Sequence, residues 1–439
     1  KIVVELYDKF FKSAFPRLTQ RMGIVYTPVE VVDFIIHSVE EVLQEEFGQS
    51  ISDEGVHVID PFTGTGTFIT RLLQSGLIRP DDMARKFECE IHANEIVLLA
   101  YYIAAINIEA VYYDLMGENT FQMYEKKDLI SGLLADNSDR RNRQKTLPIK
   151  VIIGNPPYSA GQKSANDDAA NVEYPGLDAR IAETYAARST ATNKNALYDS
   201  YIRAIRWGSD RLKDHGGVLA LVTNAGWLEG RASDGLRHCA IDEFTTIDIF
   251  HLRGLRGQMT SGERAKREGG QIFGMGSAAA ICIVIMTLNP NRDERGTIRF
   301  HDIGDYLSRE EKLARINRFG SLSGISAANG WQTITPDGHG DWLNQRDGSF
   351  EAFIPMGDKS GGQPVLFETY SMGIQTKRDA WVTNPSPSSL RSNITAMIAK
   401  YEHERNRFIA LERKFSSAAE RNAFVGKFID NDPKRISWS

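Results

Sequence analysis

The chain has 439 residues, 41% of them hydrophobic and 25% charged, which excludes a disordered or fibrous protein and leaves room for two or three domains. Three cysteines (Cys89, Cys239 and Cys282) lie far apart without a CxxC pair, and the nine histidines lack ligand spacing, so neither a disulfide framework nor a metal site is expected. The net charge of −5 is uneven: from Lys377 onward twelve Lys/Arg stand against seven Asp/Glu, giving +5 there and −10 on the remainder.

The longest apolar run, Ile96 to Ile106, is well short of the roughly 20 residues that cross a bilayer. No signal peptide is visible, so a cytoplasmic protein with no membrane association is expected. The sequence opens at Lys1 in mid-pattern, as a piece of a longer chain would.

Residues 1–20, with Phe10, Phe11 and Phe15, read as an amphipathic helical connector. Thr27 followed by Glu30 has the spacing of a capping box, with Pro28 at the first helical position. Val32, Ile35, Ile36, Val39 and Leu43 then continue one apolar face. Thr27 therefore reads as a helix cap, although a helix N-terminus also offers N–H groups to an anionic ligand.

Val56 to Ile59 predicts a strand running into Asp60-Pro61-Phe62-Thr63-Gly64-Thr65-Gly66-Thr67-Phe68, after which Ile69, Leu72 and Leu73 mark a helix closed by Gly76. Strand, glycine turn and helix bring backbone close to a nucleotide-like cofactor. Ile69 occupies the place of the third glycine of a dinucleotide fingerprint, which argues for a cofactor without a pyrophosphate. A second strand is expected over Phe87–Asn94, with Glu90 facing solvent. Glu95, at its end, is placed to take ribose hydroxyls, with a place in the first turn of the apolar helix that follows as the plainer alternative.

Gly117 to Lys150 is polar and irregular. Val151 to Gly154 is a short buried strand ending in Asn155-Pro156-Pro157-Tyr158. Two prolines fix the backbone and remove both N–H donors, leaving carbonyl acceptors, an amide and an aromatic ring at a strand end. Acceptors beside a stacking ring suit a planar amine, whose lone pair is otherwise delocalised into its ring. A strand-terminating turn with an exposed tyrosine is the plainer alternative.

The stretch to Lys194 is polar, without hydrophobic period, and reads as a loop able to close over substrate. Leu197 to Leu212 predicts a helix, and strands are expected over Gly217–Thr223, Thr245–Phe250 and Ala278–Leu288, which implies a mostly parallel α/β sheet. Arg253 to Arg267 is a second basic stretch, set among glycines. Beyond residue 300 glycine, tryptophan and polar residues dominate, with a helix expected over Leu307–Phe319, a Pro/Ser linker at Asn384–Leu390 and charged helix to Phe428. This divides the chain into a connector (1–20), a main domain (21–300) and a C-terminal region (301–439).

Taken together, Thr27-Pro28, the Asp60–Phe68 loop, Glu95 and Asn155–Tyr158 resemble the ordered motifs of gamma-type N6-adenine DNA methyltransferases. Gly23–Pro28, Asn94–Ile108, Asp302–Ser308 and Gly373–Trp381 further resemble the single-polypeptide Type ISP restriction-modification enzymes, which join a nuclease and a helicase-like motor to a methyltransferase and a target-recognition domain. No Walker GKT or helicase acidic motif occurs in these residues, so nuclease and motor segments are expected elsewhere in the natural chain. The resemblance implies a Rossmann-like methyltransferase core with a C-terminal α+β recognition region, S-adenosylmethionine as cofactor and double-stranded DNA as partner. It implies that Thr27, Pro28 and Asp60 contact the methionine part of the cofactor, that Phe62, Thr63, Gly64, Gly66 and Thr67 approach its backbone, and that Glu95 takes the ribose. Asn119-Thr120-Phe121 is the nearest match to the motif for the cofactor adenine, with Asn119 where Asp is usual. Asn155, Pro156, Pro157 and Tyr158 would grip an adenine rotated out of the duplex. A protein-glutamine methyltransferase, which shares the tetrapeptide, and a non-catalytic DNA-recognition module are the rival readings.

Overall fold

The computed structural model describes residues 27–117, 142–158, 174–256, 262–273, 279–346, 349, 352–358, 361–371, 379–415 and 417–430. The connector at 1–20 and Asn119 lie outside the described residues. Eight strands form one sheet: β1 (His57–Asp60), β2 (Ile91–Ala93), β3 (Ile149–Gly154), β4 (Gly217–Asn224), β5 (Thr246–Arg253), β6 (Ile281–Leu288), β7 (Thr297–Asp302) and β8 (Gln332–Ile334). Their order is β2-β1-β3-β4-β6-β5-β7-β8. Only β6 and β8 run against the others, so the mostly parallel α/β architecture holds.

Helices α1 (Val29–Phe47), α2 (Thr67–Gln74), α3 (Leu98–Met116), α4 (Pro175–Ile181), α5 (Ser200–Leu212), α6 (Asp234–Glu243), α7 (Gly262–Glu268), α8 (Arg309–Phe319) and α9 (Leu322–Ala327) accompany the sheet. Period-two alternation divides the strands between two cores. Val151, Ile153, Val218, Ala220, Val222, Ile283 and Ile285 pack with α1, α2, α8 and α9. Ile152, Leu219, Leu221, Cys282, Val284 and Met286 face the other way, onto α4, α5 and α6. Each fully buried aliphatic side chain contributes about 1.5–3 kcal/mol, so the central strands anchor both layers.

Several local expectations change. The helix after Thr27 begins at Val29, with Pro28 as its N-cap residue and no side-chain capping bond. The strand expected over Phe87–Asn94 shrinks to β2, because Lys86–Glu90 forms a π-helical turn. Glu90 does not face solvent: it is buried, accepts from the Gly55 amide at 2.8 Å and pairs with fully buried Lys86 at 2.8 Å and with Arg85. The polar stretch before Lys194 contains α4 and a further turn, which bury Ile181 and Tyr185. Helix α3, apolar all round and so of a kind usually enclosed, leaves Leu98, Leu99 and Ile106 exposed.

The sheet also runs past the boundary expected near residue 300, which falls inside β7. The chain divides into two compact units, one ending at Arg346 and the other beginning at Asp347. In the second, α10 (Asp379–Val382), α11 (Pro387–Ile409) and α12 (Ala418–Phe428) are described, and Pro387 opens α11 where a linker was expected. The Phe408, Phe424 and Phe428 rings pack between α11 and α12, with Arg413 over Phe424 at 4.4 Å. Among the described residues no helix is long and apolar enough to cross a membrane, and no three His, Cys, Asp or Glu side chains converge on a metal site.

Candidate active site

The parallel strands β1 and β3 are neighbours, so the turns that leave their C-terminal ends meet. Asp60 ends β1 with no solvent exposure. One carboxylate oxygen accepts from the Phe62 amide at 3.0 Å; the other finds no hydrogen-bond partner among the described residues. Burial, with a smaller push from Glu95, raises its pKa to about 8.

The glycine turn is held from within. Thr63 donates its hydroxyl to the Asp60 carbonyl at 2.9 Å and its amide to the Asn94 carbonyl at 3.1 Å. The Gly64 amide donates to Glu95 at 2.8 Å, and the second Glu95 oxygen accepts from the Val97 amide at 2.7 Å. Both oxygens keep spare lone pairs for a hydroxyl donor. Burial nonetheless pushes the Glu95 pKa up. Thr67 opens α2 directly behind this turn. Gly66 lies in the left-handed region at φ 90°, and an added Cβ would stand 3.2 Å from the Ile108 side chain. Glycine is what lets α3 lie so close to the turn.

Gly154 makes the second close approach. A Cβ there would lie 2.8 Å from an Asp60 carboxylate oxygen and 3.4 Å from the Phe62 ring. The residue before Asn155 is thus in contact with the glycine-turn cluster. Asn155 donates its side-chain amide to the Thr27 hydroxyl at 2.9 Å, and its side-chain oxygen lies 2.6 Å from the Tyr158 hydroxyl. That hydroxyl also reaches the carbonyl of Val222, in the neighbouring strand β4, at 2.9 Å. Its single proton serves one acceptor at a time. Burial raises the Tyr158 pKa well above the usual phenol value, which keeps that proton in place. Pro156 is buried and Pro157 half-buried beside it. The Tyr158 ring meets Tyr201 edge-on at 6.2 Å and Phe273 at 6.4 Å.

Asp60, Phe62, Thr63, Gly64 and Glu95 form one bonded cluster and Thr27, Asn155 and Tyr158 a second, and the two meet where Gly154 approaches Asp60. Thr27 lies in the second as a partner of Asn155 rather than as a helix cap. Sequence reasoning missed the Val222 carbonyl, Tyr201, Phe273 and the Asn94–Gln144 amide pair that ties the end of β2 to the chain entering β3. No motif signals these, because a backbone acceptor and packing aromatics acquire their role only from the fold.

Residues 86–256 match the Eco57I restriction-modification methylase family, and residues 365–439 match the Type ISP C-terminal specificity domain. The chain thus carries, in order, a stretch that matches a restriction-modification methylase family and one that matches a Type ISP specificity domain. The matched methylase span contains Glu95 and Asn155–Tyr158; Thr27 and the Asp60 turn precede it and are bonded to it.

Among solved structures, the chain is similar to a nuclease-deletion mutant of the Type ISP restriction-modification enzyme LlaGI in complex with a DNA substrate mimic. The TM-score is 0.82 at 42% identity, covering 100% of this chain and 35% of that one. It is also similar to the ATP-dependent Type ISP enzyme LlaBIII bound to DNA, with a TM-score of 0.80 at 41% identity over 92% of this chain and 28% of that one. The DrdV–DNA complex matches at 0.80 and 32% identity, covering 99% and 43%. The chain thus spans between 28% and 43% of the length of the chains it matches.

Proposed function

We propose that this chain transfers a methyl group from S-adenosylmethionine to the N6 amine of an adenine in double-stranded DNA, as the modification part of a restriction-modification enzyme. The observation that carries the reading is the close approach of Gly154 to Asp60, which joins the Asn155–Tyr158 turn to the glycine turn at the C-terminal ends of β1 and β3. The residues suit the cofactor. The unpartnered Asp60 oxygen is a buried acceptor in search of a cationic or donor group, Glu95 keeps lone pairs for hydroxyls, and Gly64 and Gly66 keep side chains out of the turn.

When bound, S-adenosylmethionine, which Asp60, Glu95 and the glycine turn would hold, would supply an electrophilic methyl group for the N6 amine, whose displaced proton would pass to water. The Asn155 side-chain oxygen and the Pro156 carbonyl accept the two amino protons, which localises the lone pair on nitrogen. Tyr158 offers a ring face to the extruded base, a contact worth about 1–3 kcal/mol. The Val222 carbonyl, already 2.9 Å from the Tyr158 hydroxyl, lets that hydroxyl release Asn155 without losing a partner. Target choice belongs to the specificity domain, with its excess of positive charge from Lys377 onward.

Asn155→Ala tests the reading. Transfer of tritiated methyl to duplex DNA should fall about a hundredfold or more, with cofactor affinity by calorimetry within about twofold of wild type. Undiminished transfer by this variant would end the proposal. Label appearing in protein instead of DNA would select the glutamine methyltransferase reading, which the match to a specificity domain disfavours.

A further inference from the structure

We infer that Thr27 is a positioning residue for the transfer step, holding the Asn155 carboxamide in the orientation in which its oxygen can meet the substrate amine. The inference rests on the function proposed above and adds a role for a residue expected to bind the cofactor.

A carboxamide has nearly the same shape after a 180° turn about its last bond, and only its hydrogen-bond partners decide which end is oxygen. For an amine substrate the difference is absolute. The oxygen accepts an amino proton, whereas the NH2 end would set donor against donor. At Asn155 each end meets a hydroxyl, which can donate or accept, so these partners hold the plane of the amide and the substrate amine selects the oxygen end. The NH2 end donates to the Thr27 hydroxyl at 2.9 Å, and the oxygen end lies 2.6 Å from the Tyr158 hydroxyl.

The two partners are not equivalent during turnover. The Asn155 oxygen has two lone pairs, so a substrate amine can join or displace Tyr158 there, and the Val222 carbonyl at 2.9 Å gives the Tyr158 proton another acceptor. From then on Thr27 holds the amide from behind. Thr27 is itself buried and fixed at the entry to α1, since the Pro28 carbonyl accepts from the Val31 and Val32 amides at 3.1 and 3.2 Å. The bond joins residues 128 positions apart in sequence, so the start of α1 acts directly on the turn after β3.

Two variants of the full chain separate the roles. Thr27→Val keeps shape and volume but loses the acceptor; Thr27→Ser keeps the hydroxyl. A net hydrogen bond of ordinary strength corresponds to about a five- to tenfold change in population. Thr27→Val should therefore lower the single-turnover rate of methyl transfer to duplex DNA about five- to tenfold, with cofactor affinity by calorimetry within about twofold. Thr27→Ser should restore the rate. Lost cofactor affinity with a normal rate at saturation would make Thr27 a cofactor contact and overturn the inference. Equal behaviour of Thr27→Val and wild type would overturn it too.

A readout independent of catalysis keeps the two claims apart. With asparagine selectively labelled with 15N, and Asn155 assigned through Asn155→Ala, its side-chain amide protons should exchange slowly in wild type and Thr27→Ser and faster in Thr27→Val. Slow exchange in all three refutes the role of Thr27 whatever the DNA assay gives. A wild-type chain inactive on DNA but with this exchange pattern would sink the proposed function alone.

Discussion

Asp60 closes β1 without contact with water and with one oxygen unpartnered, and that state fixes the sign of a pH effect. Its pKa of about 8 stands above the usual 3.8. Below pH 3.8 folded and unfolded chains both hold the proton and the group costs nothing. Between 3.8 and about 8 the unfolded chain releases a proton that the folded chain retains, so stability falls as pH rises through that window. Asp60→Asn should thus gain on the wild type in urea melts as pH rises across the window, and gain no more above it. A difference independent of pH would show that Asp60 does not titrate this way. A cationic ligand reverses the preference: binding of S-adenosylmethionine at pH 7 should release a proton, seen by calorimetry in two buffers of different ionisation heat, and Asp60→Asn should abolish that release. The places of Asp60 and Asn155 at strand ends were legible in sequence because the apolar runs before them are plain. The partner of Thr27 was not, since its capping-box spacing was locally satisfying and the competing bond comes from a turn 128 residues away. Glu90 was misread for a related reason: alternation in Phe87–Asn94 suggested an outward carboxylate, and only the π-helical turn brings Lys86 and Arg85 to it.

At the scale of elements, the glycine turn separates two kinds of glycine. Gly64 has φ 56°, and an added Cβ would find nothing nearer than the Phe62 carbonyl at 3.9 Å. Gly66 has φ 90°, with the Ile108 side chain at 3.2 and 3.3 Å and the Ala104 backbone at 3.4 Å. Gly64→Ala should therefore cost only left-handed strain, roughly 1–2 kcal/mol. Gly66→Ala adds crowding against α3, an overpacking cost of about 1–3 kcal/mol more. Denaturant midpoints should rank wild type, Gly64→Ala, Gly66→Ala in falling order. Equal losses would mean that α3 yields to the added methyl and does not brace the turn. The element was readable from sequence as strand, glycine turn and helix, but the asymmetry between its glycines was not, because Ile108 reaches Gly66 only through the packing of α3 on α2.

For the whole molecule, the central strands declared themselves because both of their faces are buried and their apolar runs are nearly unbroken. The far edge did not. Strand β7 interleaves Arg299 and His301 with Ile298 and Phe300, and β8 has only three residues, so residues beyond 300 read as a separate region. Physically they belong to the sheet. Arg299 pairs with buried Asp248 of β5, the Leu322 amide donates to Ser38 of α1 at 3.1 Å, and Leu313, Ile316 and Ile325 are buried in the core that α1 shares. A chain ended at residue 300 cuts β7 in mid-strand, removes α8, α9 and β8, and leaves the outer face of α1 uncovered. A chain ended at Arg346 keeps all of these and loses only the unit that carries the specificity domain. The longer form should melt cooperatively and bind S-adenosylmethionine with the affinity of the full chain, yet methylate DNA without sequence preference or not at all. The shorter form should aggregate or melt without a sharp transition. If the two forms unfold alike, the outer strands contribute nothing to the methylase unit, and its boundary does lie near residue 300.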